Sequence, residues 1–393
     1  MNPSRKNPLT IDLPFHRCSF DDNEINEVVD TLRSGWLTTG PKTQRFEEDF
    51  RDFTGCRHAV GLNSCTAGLH LALAASGLQA GDEVITTPMT FVATTNVLMH
   101  LNLKPVFVDI ERDTLNLDPA RIEQAITPRT RAILPVHFAG HPCDMDAINA
   151  VARRHNLTVI EDAAHALGAK YKGTPIGGNG NMAAFSFYAN KNITTGEGGM
   201  LTVPDDALVE RVRVLRLHGL SRDAWKRFGK EGYAHYDLEA PGYKYNMADI
   251  NAAMGIHQLK KVDGFQEVRR RYAAIYDAAF KPLGAMDVLE EKPYAESARH
   301  IYVIAPKPEA LTLNRDGFMQ EMQSAGIGVA VHFRAIHFHT YYRETLKVAP
   351  EILPVASEMS DRVLSLPLYP RMTENDVQRV IDTVTHLVKK YRR

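Results

Sequence analysis

The chain has 393 residues, 44% of them apolar and 24% charged, which are ordinary values for a globular protein and exclude collagen-like or disordered classes. This length exceeds what one hydrophobic core usually serves, so we expect two to three domains. Lysine and arginine (46) nearly balance aspartate and glutamate (47), a formal net charge of −1, so direct nucleic-acid binding is not expected.

The N-terminus and the cysteines favour a cytoplasmic protein. No apolar run reaches the roughly 20 residues that cross a bilayer, so no membrane segment is expected. Arg5 and Lys6 near the start are not followed by an apolar core, which is unlike a signal peptide. The cysteines form no CxxC pair, we predict no metal site, and the pattern is typical of reduced thiols: Cys18, Cys56, Cys65 and Cys143.

From about residue 55 to residue 205, short apolar strands alternate with helical stretches. Several strands are apolar throughout, as in sheets covered on both faces; they are predicted at 83–87, 105–110, 132–138, 158–162, 183–188 and 200–203. Asp118 before Pro119 marks a helix start, and Asp144 opens a helix that ends near Asn156. The alternation predicts an α/β fold with a mostly parallel sheet, helices on both faces, and ligands beyond the carboxyl ends of the strands.

After residue 201 the pattern changes towards α+β. We predict a helix at 205–215, an irregular stretch at 221–240 and a long helix at 248–280 with a break near Gly264. A strand near 300–304, a helix at 315–325, a strand near 328–333 and a final helix from Glu374 follow. We expect a large α/β domain over residues 1–245, including an N-terminal arm, and a smaller α+β domain over residues 246–393.

The segment from Ser186 to Gly199, SFYANKNITTGEGG, places Lys191 just past a strand end and before a glycine-rich turn. A lysine whose pKa is lowered can form a Schiff base with an aldehyde cofactor. Ser186 could donate its hydroxyl to a phosphate. A solvent-exposed lysine in a glycine turn would give the same pattern, so this stretch alone leaves both interpretations open.

Asp162 ends a predicted apolar strand, and His165 follows in the sequence VIEDAAHALG. A buried carboxylate needs a cationic partner, and the protonated ring nitrogen of pyridoxal phosphate is one. His165 could contact the face of that cofactor or its phenolic oxygen. The simpler alternatives are a helix cap for Asp162 and a hydrogen-bonded core histidine for His165.

Two further motifs follow strands. In GLNSCTAGLHLAL, small and hydroxyl residues lead into an apolar helix, whose N-terminus could hold a phosphate through Thr66 and Ala67. Capping of the helix by Ser64 or Thr66 would explain the same residues. Phe91, in TPMTFVAT, could stack on a planar ring, although a core position is the usual role of a phenylalanine.

The order of these motifs is more specific than any one of them, and it is the order found in fold-type-I pyridoxal phosphate enzymes. On these motifs and on SGWLTTGP at 34–41, the chain resembles the DegT-type nucleotide-sugar aminotransferases from about residue 14 to its C-terminus. The segments HGLSRDA, PGYKYNMADINAA and VHFRAIH, with YYR at 341–343, resemble most the branch that forms UDP-4-amino-4-deoxy-L-arabinose for the lipid A of lipopolysaccharide.

The resemblance implies pyridoxal 5'-phosphate as cofactor, with Lys191 as the Schiff-base lysine and Asp162 as the partner of the ring nitrogen. It implies further cofactor contacts from Thr66, Ala67, Phe91, His165, Ser186 and Asn246. The family often has glutamine at the position of His165. Asn246 is implied to reach the phosphate of the partner subunit, which predicts a homodimer with shared active sites. Many members have asparagine where this chain has Lys244 and arginine at position 246, so this role follows the branch pattern.

The implied reaction transfers the amino group of L-glutamate to a nucleotide-linked 4-keto sugar, a UDP-4-keto-pentose first, and gives a UDP-4-amino sugar and 2-oxoglutarate. His332, Arg334 and His337 offer a charge and hydrogen bonds to a sugar nucleotide, and His218 is a weaker candidate. A solvated strand end would explain the cluster equally well. A UDP- or dTDP-linked 4-keto-6-deoxyhexose, a 3-keto sugar, or a non-enzymatic cofactor-binding regulator stay open as alternatives.

Overall fold

A computed structural model describes residues 10–220 and 237–393, so most of the stretch predicted to be irregular at 221–240 lies outside the described residues. The described residues form these α-helices: α1 Asp22–Ser34, α2 Pro41–Thr54, α3 Cys65–Ala75, α4 Val92–His100, α5 Met145–His155, α6 Asp206–Leu215, α7 Asp249–Leu259, α8 Val262–Phe280, α9 Arg315–Ser324, α10 Thr340–Leu346, α11 Pro354–Arg362 and α12 Glu374–Lys390. The strands are β1 His58–Leu62, β2 Glu83–Thr86, β3 Lys104–Phe107, β4 Thr130–Leu134, β5 Thr158–Asp162, β6 Lys170–Tyr171, β7 Thr174–Pro175, β8 Met182–Ser186, β9 Gly199–Val203, β10 Met286–Val288, β11 Ala295–Glu296, β12 Tyr302–Pro306 and β13 Leu364–Leu366.

The central sheet has seven strands in the order β1-β9-β8-β5-β4-β2-β3. The pairs from β8 to β3 are parallel, and β9 runs antiparallel to both β1 and β8. This mostly parallel sheet and its flanking helices confirm the predicted α/β fold class. β5 has the predicted bounds, whereas β1 was not predicted.

Both faces of the central sheet are covered, as its apolar strands predicted. Along β8, Ala183 and Phe185 join one core cluster, with Phe46 of α2 and Ile148 of α5. Met182 and Ala184 point to the other face, into the cluster that contains α3 and α6. The strand alternates between two hydrophobic layers, so every position of it must be apolar or small.

Local capping sets the helix ends where it was predicted. The Asp144 side chain accepts a hydrogen bond from the Ala147 N–H, and α5 is capped at its C-terminus by Asn156, whose φ of 52° lies in the left-handed region. The start signal at Asp118 was read correctly, since its side chain accepts from the Ala120 N–H. The segment after it forms two short 3-10 helices rather than an α-helix.

A smaller antiparallel sheet, β10-β12-β13, packs with α8, α9 and α12 around a separate core. The N-terminal arm lies on it, because Leu13 is buried and pairs with Ile327. The boundary of the two domains at residues 245–246 stays a prediction. A third sheet, β11-β6-β7, is formed by short strands of both regions of the chain.

Two predictions in the second half are wrong. Residues 328–333 form no strand, because their backbone bonds go to different partners: Gly328 donates to Leu13, and Ala330 bridges Ser365. The break in the long helix falls at Lys260 and Lys261 and not at Gly264, which lies inside α8. The Lys261 ammonium pairs with the carboxylates of Asp21 and Glu24 at the N-terminus of α1. These ion pairs fix the junction between α7 and α8.

Candidate active site

A cavity of about 600 Å³ opens where the carboxyl ends of β5 and β8 meet the N-terminus of α3. Parallel strands place their carboxyl ends at one edge, which is where this fold binds ligands. Of the residues predicted for the site, this cavity is lined by Thr66, Phe91, Asp162, His165, Ser186, Lys191 and His332. One edge of the sheet therefore collects side chains that are far apart in the sequence.

The turn after β8 carries Lys191 and is anchored back onto its own strand. The Lys191 N–H donates to the Tyr188 carbonyl at 2.9 Å, and Phe187 exchanges backbone hydrogen bonds with Thr195 and Gly198. A Cβ on Gly199 would lie only 2.4 Å from the carbonyl carbon of Ser64. Glycine is thus required there for the turn to pack against the start of α3.

The Lys191 amine has altered acid–base properties. Burial lowers the pKa of Lys191 from 10.5 to about 8, and the carboxylate of Asp162 opposes this shift only in part. At neutral pH a larger fraction of this amine is therefore in the neutral, nucleophilic form than for an ordinary lysine. This excludes the alternative of a solvent-exposed surface lysine and favours a nucleophile or proton carrier.

Asp162 ends β5 with its carboxylate buried at the cavity wall. Oδ2 accepts a hydrogen bond from Thr94 Oγ1 at 2.8 Å, and Oδ1 accepts one from the Ala164 N–H at 3.1 Å. Burial raises the pKa of Asp162, whereas both hydrogen bonds and the Lys191 charge lower it. The alternative of a helix cap is wrong, because a turn and not a helix follows β5, and the Ala164 contact lies within that turn.

The start of α3 is capped by Ser64, one of the two capping residues considered. Ser64 Oγ accepts from the Ala67 N–H at 3.1 Å, so that amide is engaged and Ala67 is buried behind the cavity lining. Thr66 lies on the cavity wall. Ser186 faces it from β8, and the Oγ of Ser186 makes only a long bond of 3.4 Å to the Tyr188 N–H. These positions leave hydroxyl groups available for an anion at the helix N-terminus.

His165 is buried between aromatic rings rather than hydrogen-bonded within the core. Its ring stacks on Phe333 at 5.9 Å between centroids and lies 4.3 Å from the ring of His300. Burial and the Lys191 charge hold the pKa of His165 well below its usual range, so the ring is neutral. Within residues 10–220 and 237–393, its Nδ1 has no hydrogen-bond partner. Phe91 stands at the cavity mouth with 60% of its surface exposed, so it is not a core phenylalanine.

The structure separates the predicted cluster of His332, Arg334 and His337. Only His332 lines the cavity; its Nδ1 contacts Ser365 Oγ at 2.9 Å, and burial lowers its pKa to about 4. Arg334 is exposed and donates to the Phe338 carbonyl. His337 is buried elsewhere, with Nε2 against Ser357.

Two further predicted residues lie outside this cavity. His218 is exposed, and its backbone N–H donates a hydrogen bond to the Tyr243 carbonyl. Residues 221–224, which complete the segment HGLSRDA, lie outside the described residues. Asn246 donates to Thr39 Oγ1 at 2.6 Å and accepts from Lys244 Nζ at 2.6 Å. Asn246 is not among the residues that line the Lys191 cavity of its own chain.

Several cavity residues were not predicted: Cys65, Thr90, Tyr188, Asn190, Glu197 and Phe333, together with Thr94 on Asp162. Tyr188 and Asn190 shortly precede Lys191 in the sequence, and that proximity was the available signal. Thr94 is 68 residues from Asp162, and the sequence carried no signal for their contact beyond the place of Thr94 in the first turn of α4.

The residues present fit pyridoxal 5'-phosphate. A buried amine with a lowered pKa, a buried carboxylate and hydroxyl groups at a helix N-terminus match the aldehyde, the cationic ring nitrogen and the phosphate of this cofactor. In the described part of the chain, two buried acceptor-capable atoms on the cavity wall have no partner, His165 Nδ1 and Asn190 Oδ1. Such atoms indicate a polar ligand.

Comparison with known proteins also indicates an enzyme that uses pyridoxal 5'-phosphate. The DegT/DnrJ/EryC1/StrS aminotransferase family matches residues 19–385. The chain belongs to this family. SpsC of Bacillus subtilis, a spore coat polysaccharide biosynthesis protein, is 47% identical over 378 residues, or 96% of this chain and 97% of SpsC.

Two solved sugar-aminotransferase structures extend the comparison. Spr1654 of Streptococcus pneumoniae, named as a sugar aminotransferase and solved in PMP- and PLP-forms, is 34% identical. Its PMP-form superimposes with a TM-score of 0.91 and covers 96% of this chain and all of its own. DesI, solved in the presence of its TDP-sugar product, is 33% identical with a TM-score of 0.86, covering 98% of this chain and 95% of DesI.

The chain is therefore a sugar aminotransferase that acts on nucleotide sugars and uses pyridoxal 5'-phosphate. None of the helices among the described residues is long and apolar enough to cross a membrane. The described residues also contain no group of three or more histidine, cysteine, aspartate or glutamate side chains that could hold a metal ion.

Proposed function

We propose that the enzyme transfers the amino group of L-glutamate to C4 of a nucleotide-linked 4-keto sugar. The observation that carries the proposal is one cavity flanked by the low-pKa amine of Lys191 and the buried carboxylate of Asp162. When bound, pyridoxal 5'-phosphate takes the amino group from the donor and passes it to the keto sugar. 2-Oxoglutarate and an amino sugar are the products.

Lys191 carries the proton. As a neutral amine it can remove the α-proton of the bound donor, and as an ammonium it can return a proton to C4 of the sugar. Its pKa of about 8 supports both directions near neutral pH, because neither form is scarce. Asp162 holds its negative charge at the cavity wall, where Thr94 Oγ1 and the Ala164 N–H fix its orientation.

Other cavity residues would bind and orient the cofactor and the sugar. Thr66 and Ser186 would hold the phosphate, Phe91 would cover one face of the planar ring, and His165 would lie against the cofactor as a neutral imidazole. His332 would contact the sugar, since it is the member of the predicted cluster that reaches the cavity.

There are two candidates for the acceptor sugar. The sequence resemblance of the segments around Asn246 and His332 supports a UDP-4-keto-pentose. The structural similarity to DesI, whose structure holds a TDP-sugar product, supports a dTDP-linked 4-keto-6-deoxyhexose as the second candidate. The cavity of about 600 Å³ has room for a sugar beside the cofactor and does not distinguish the two.

The test is a panel of UDP- and dTDP-linked 4-keto and 3-keto sugars with L-glutamate, with products identified by mass spectrometry. We expect an amino sugar from a 4-keto substrate and equimolar 2-oxoglutarate. Lys191→Ala is the matched control and should give neither product. Amination of 3-keto sugars only, or a donor other than glutamate, would refute the corresponding part of the proposal.

We further propose a homodimer with shared active sites. Its support is that the Asn246 side chain bonds to Thr39 and Lys244 and is not among the residues that line the Lys191 cavity of its own chain. Mixed Lys191→Ala and Asn246→Ala subunits should regain activity, because one site of the hybrid then carries both lesions and the other carries none. No recovery despite demonstrated subunit exchange would place Asn246 outside the partner's site.

A further inference from the structure

Asn192, the residue after Lys191, has no part in the proposed transamination, yet its side chain is buried and its polar atoms are all hydrogen-bonded. Its Nδ2 donates to the carbonyl oxygens of Leu167 at 3.3 Å and Ala298 at 3.0 Å. Its Oδ1 lies 2.8 Å from Nδ1 of His300. One side chain beside Lys191 thus bonds to three residues that are 25, 106 and 108 positions away in the sequence.

These partners fix which nitrogen of His300 carries a proton. Carbonyl oxygens only accept hydrogen bonds, so Nδ2 of Asn192 must face them and its Oδ1 must accept from His300. Burial, together with the neighbouring His165 and Lys191, holds the pKa of His300 well below its usual range, so its ring is neutral and has a single N–H. That proton is therefore on Nδ1, and Nε2 of His300 is unprotonated.

The three partners of Asn192 belong to segments that carry or contact the active site. Leu167 lies in the turn after β5, two residues beyond His165. Ala298 and His300 lie shortly before β12, and the ring of His300 is 4.3 Å from that of His165 between centroids. The amide of Asn192 therefore sets the spacing between its own turn, the turn with His165 and the segment before β12.

The hydrogen bond to His300 bears on the position of Lys191. Without the His300 donor, the Asn192 Oδ1 would be buried without a partner, which is unfavourable and would make the side chain and its turn shift. Lys191 precedes Asn192, so its amine would move too, and a displacement of about 1 Å from the reacting atoms can cost roughly 10²-fold in rate. We propose that Asn192 and His300 are positioning residues, whose hydrogen bond holds the Lys191 amine in reach of the cofactor and of the amino donor. This inference rests on the role of Lys191 in the proposed function.

Two variants of nearly equal size separate the hydrogen bond from the ring. His300→Asn and His300→Leu both shorten the side chain, but only the first keeps an N–H donor at the δ position. The readout is the binding of pyridoxal phosphate and of pyridoxamine phosphate to the apoprotein. The aldehyde of the first ligand condenses with the Lys191 amine and releases water, whereas the second has an amine instead and cannot form this link. The ratio of the two affinities therefore reports the position of Lys191 apart from the rest of the cavity.

We expect the preference for pyridoxal phosphate to fall about tenfold in His300→Leu and to stay within about twofold of the wild type in His300→Asn. Asn192→Ala should lower it as well, and adding His300→Leu to Asn192→Ala should lower it no further, because both changes break the same bond. Equal losses in His300→Asn and His300→Leu, or additive losses in the double variant, would overturn the proposal.

His141 provides the matched control. It is also buried beside an asparagine amide, with its Nδ1 3.2 Å from Asn116 Nδ2, but it is not among the residues that line the Lys191 cavity. His141→Leu should keep the affinity ratio of the wild type even if its Tm is lower. A fall equal to that in His300→Leu would show a general effect of lost stability and would refute the positioning role.

Lys191→Ala separates failure of this inference from failure of the proposed function. If the wild type has the same affinity ratio as Lys191→Ala, no link to Lys191 forms, and the proposed function and this inference are both wrong. If the wild type differs from Lys191→Ala but His300→Leu keeps the wild-type ratio, only the inference is wrong.

The proton on His300 can also be located in the unaltered protein. In wild-type protein labelled with ¹⁵N-histidine, the NMR signals that disappear in His300→Asn should be those of a neutral imidazole with its proton on Nδ1. A proton on Nε2, or a charged ring at neutral pH, would overturn the proposal even where His300→Leu fails to fold.

Discussion

Removal of the Thr94 hydroxyl tests the proposed role of Asp162 most directly. Thr94 Oγ1 donates to Asp162 Oδ2 at 2.8 Å, and both side chains are buried. Burial raises the pKa of Asp162 and the Thr94 bond lowers it, because the hydroxyl stabilises the ionised carboxylate. Thr94→Val removes the hydroxyl and keeps the branched shape of the side chain.

The size of the effect follows from the bond. A hydrogen bond to a charged group is worth about 1.5–3 kcal/mol, so kcat/KM for L-glutamate should fall about 10- to 160-fold in Thr94→Val. The pKa of Asp162 should rise in the variant, and in the proposed function the ionised carboxylate is the form that would hold the cationic ring of the cofactor. The acid limb of the pH profile should therefore move to higher pH, and activity should recover in part as the pH is raised.

The chain offers a matched control one residue away. Thr95 is fully buried like Thr94, but its Oγ1 has no hydrogen-bond partner among the described residues. Thr95→Val should therefore retain near wild-type activity and an unchanged pH profile. The assay is the glutamate half-reaction followed by the absorbance of the bound cofactor across pH. An unmoved acid limb in Thr94→Val, or equal losses in both variants, would refute the reasoning.

Three further predictions concern the cavity. Lys191→Ala should bind the cofactor without the covalent link that borohydride fixes in the wild type; a fixed link in the variant would show that another amine is used. Asp162→Asn should keep the fold and lose about 10³-fold or more in turnover, or ~4 kcal/mol of transition-state stabilisation, and near-normal turnover would leave Asp162 with a role in the turn after β5 only. His332→Ala should spare the glutamate half-reaction and slow the keto-sugar half-reaction, whereas exposed Arg334→Ala should change neither; equal damage to both half-reactions in His332→Ala would exclude a sugar-specific role.

The sequence predicted most strands of the central sheet and seven residues that line the Lys191 cavity, because the signals there are local. Apolar runs bounded by capping residues identified β5 with its observed ends, and Asp162 stands at its carboxyl end as expected. The motif around Lys191 identified the turn, since lysine, glycines and the preceding strand are contiguous. The family resemblance rests on the same contiguous segments, and the family match over residues 19–385 confirms it.

The tertiary structure decided which of these residues share a cavity. Thr94 contacts Asp162 across 68 residues, and His165 lies against His300 and Phe333, which come from the distant C-terminal part of the chain. The stretch at 328–333 has a strand-like composition, yet its backbone bonds go to the arm on one side and to β13 on the other. The spacing of residues determines local periodicity and capping, but side-chain partners and backbone ladders depend on the order in which strands and helices pack, and that order is set by burial over the whole chain.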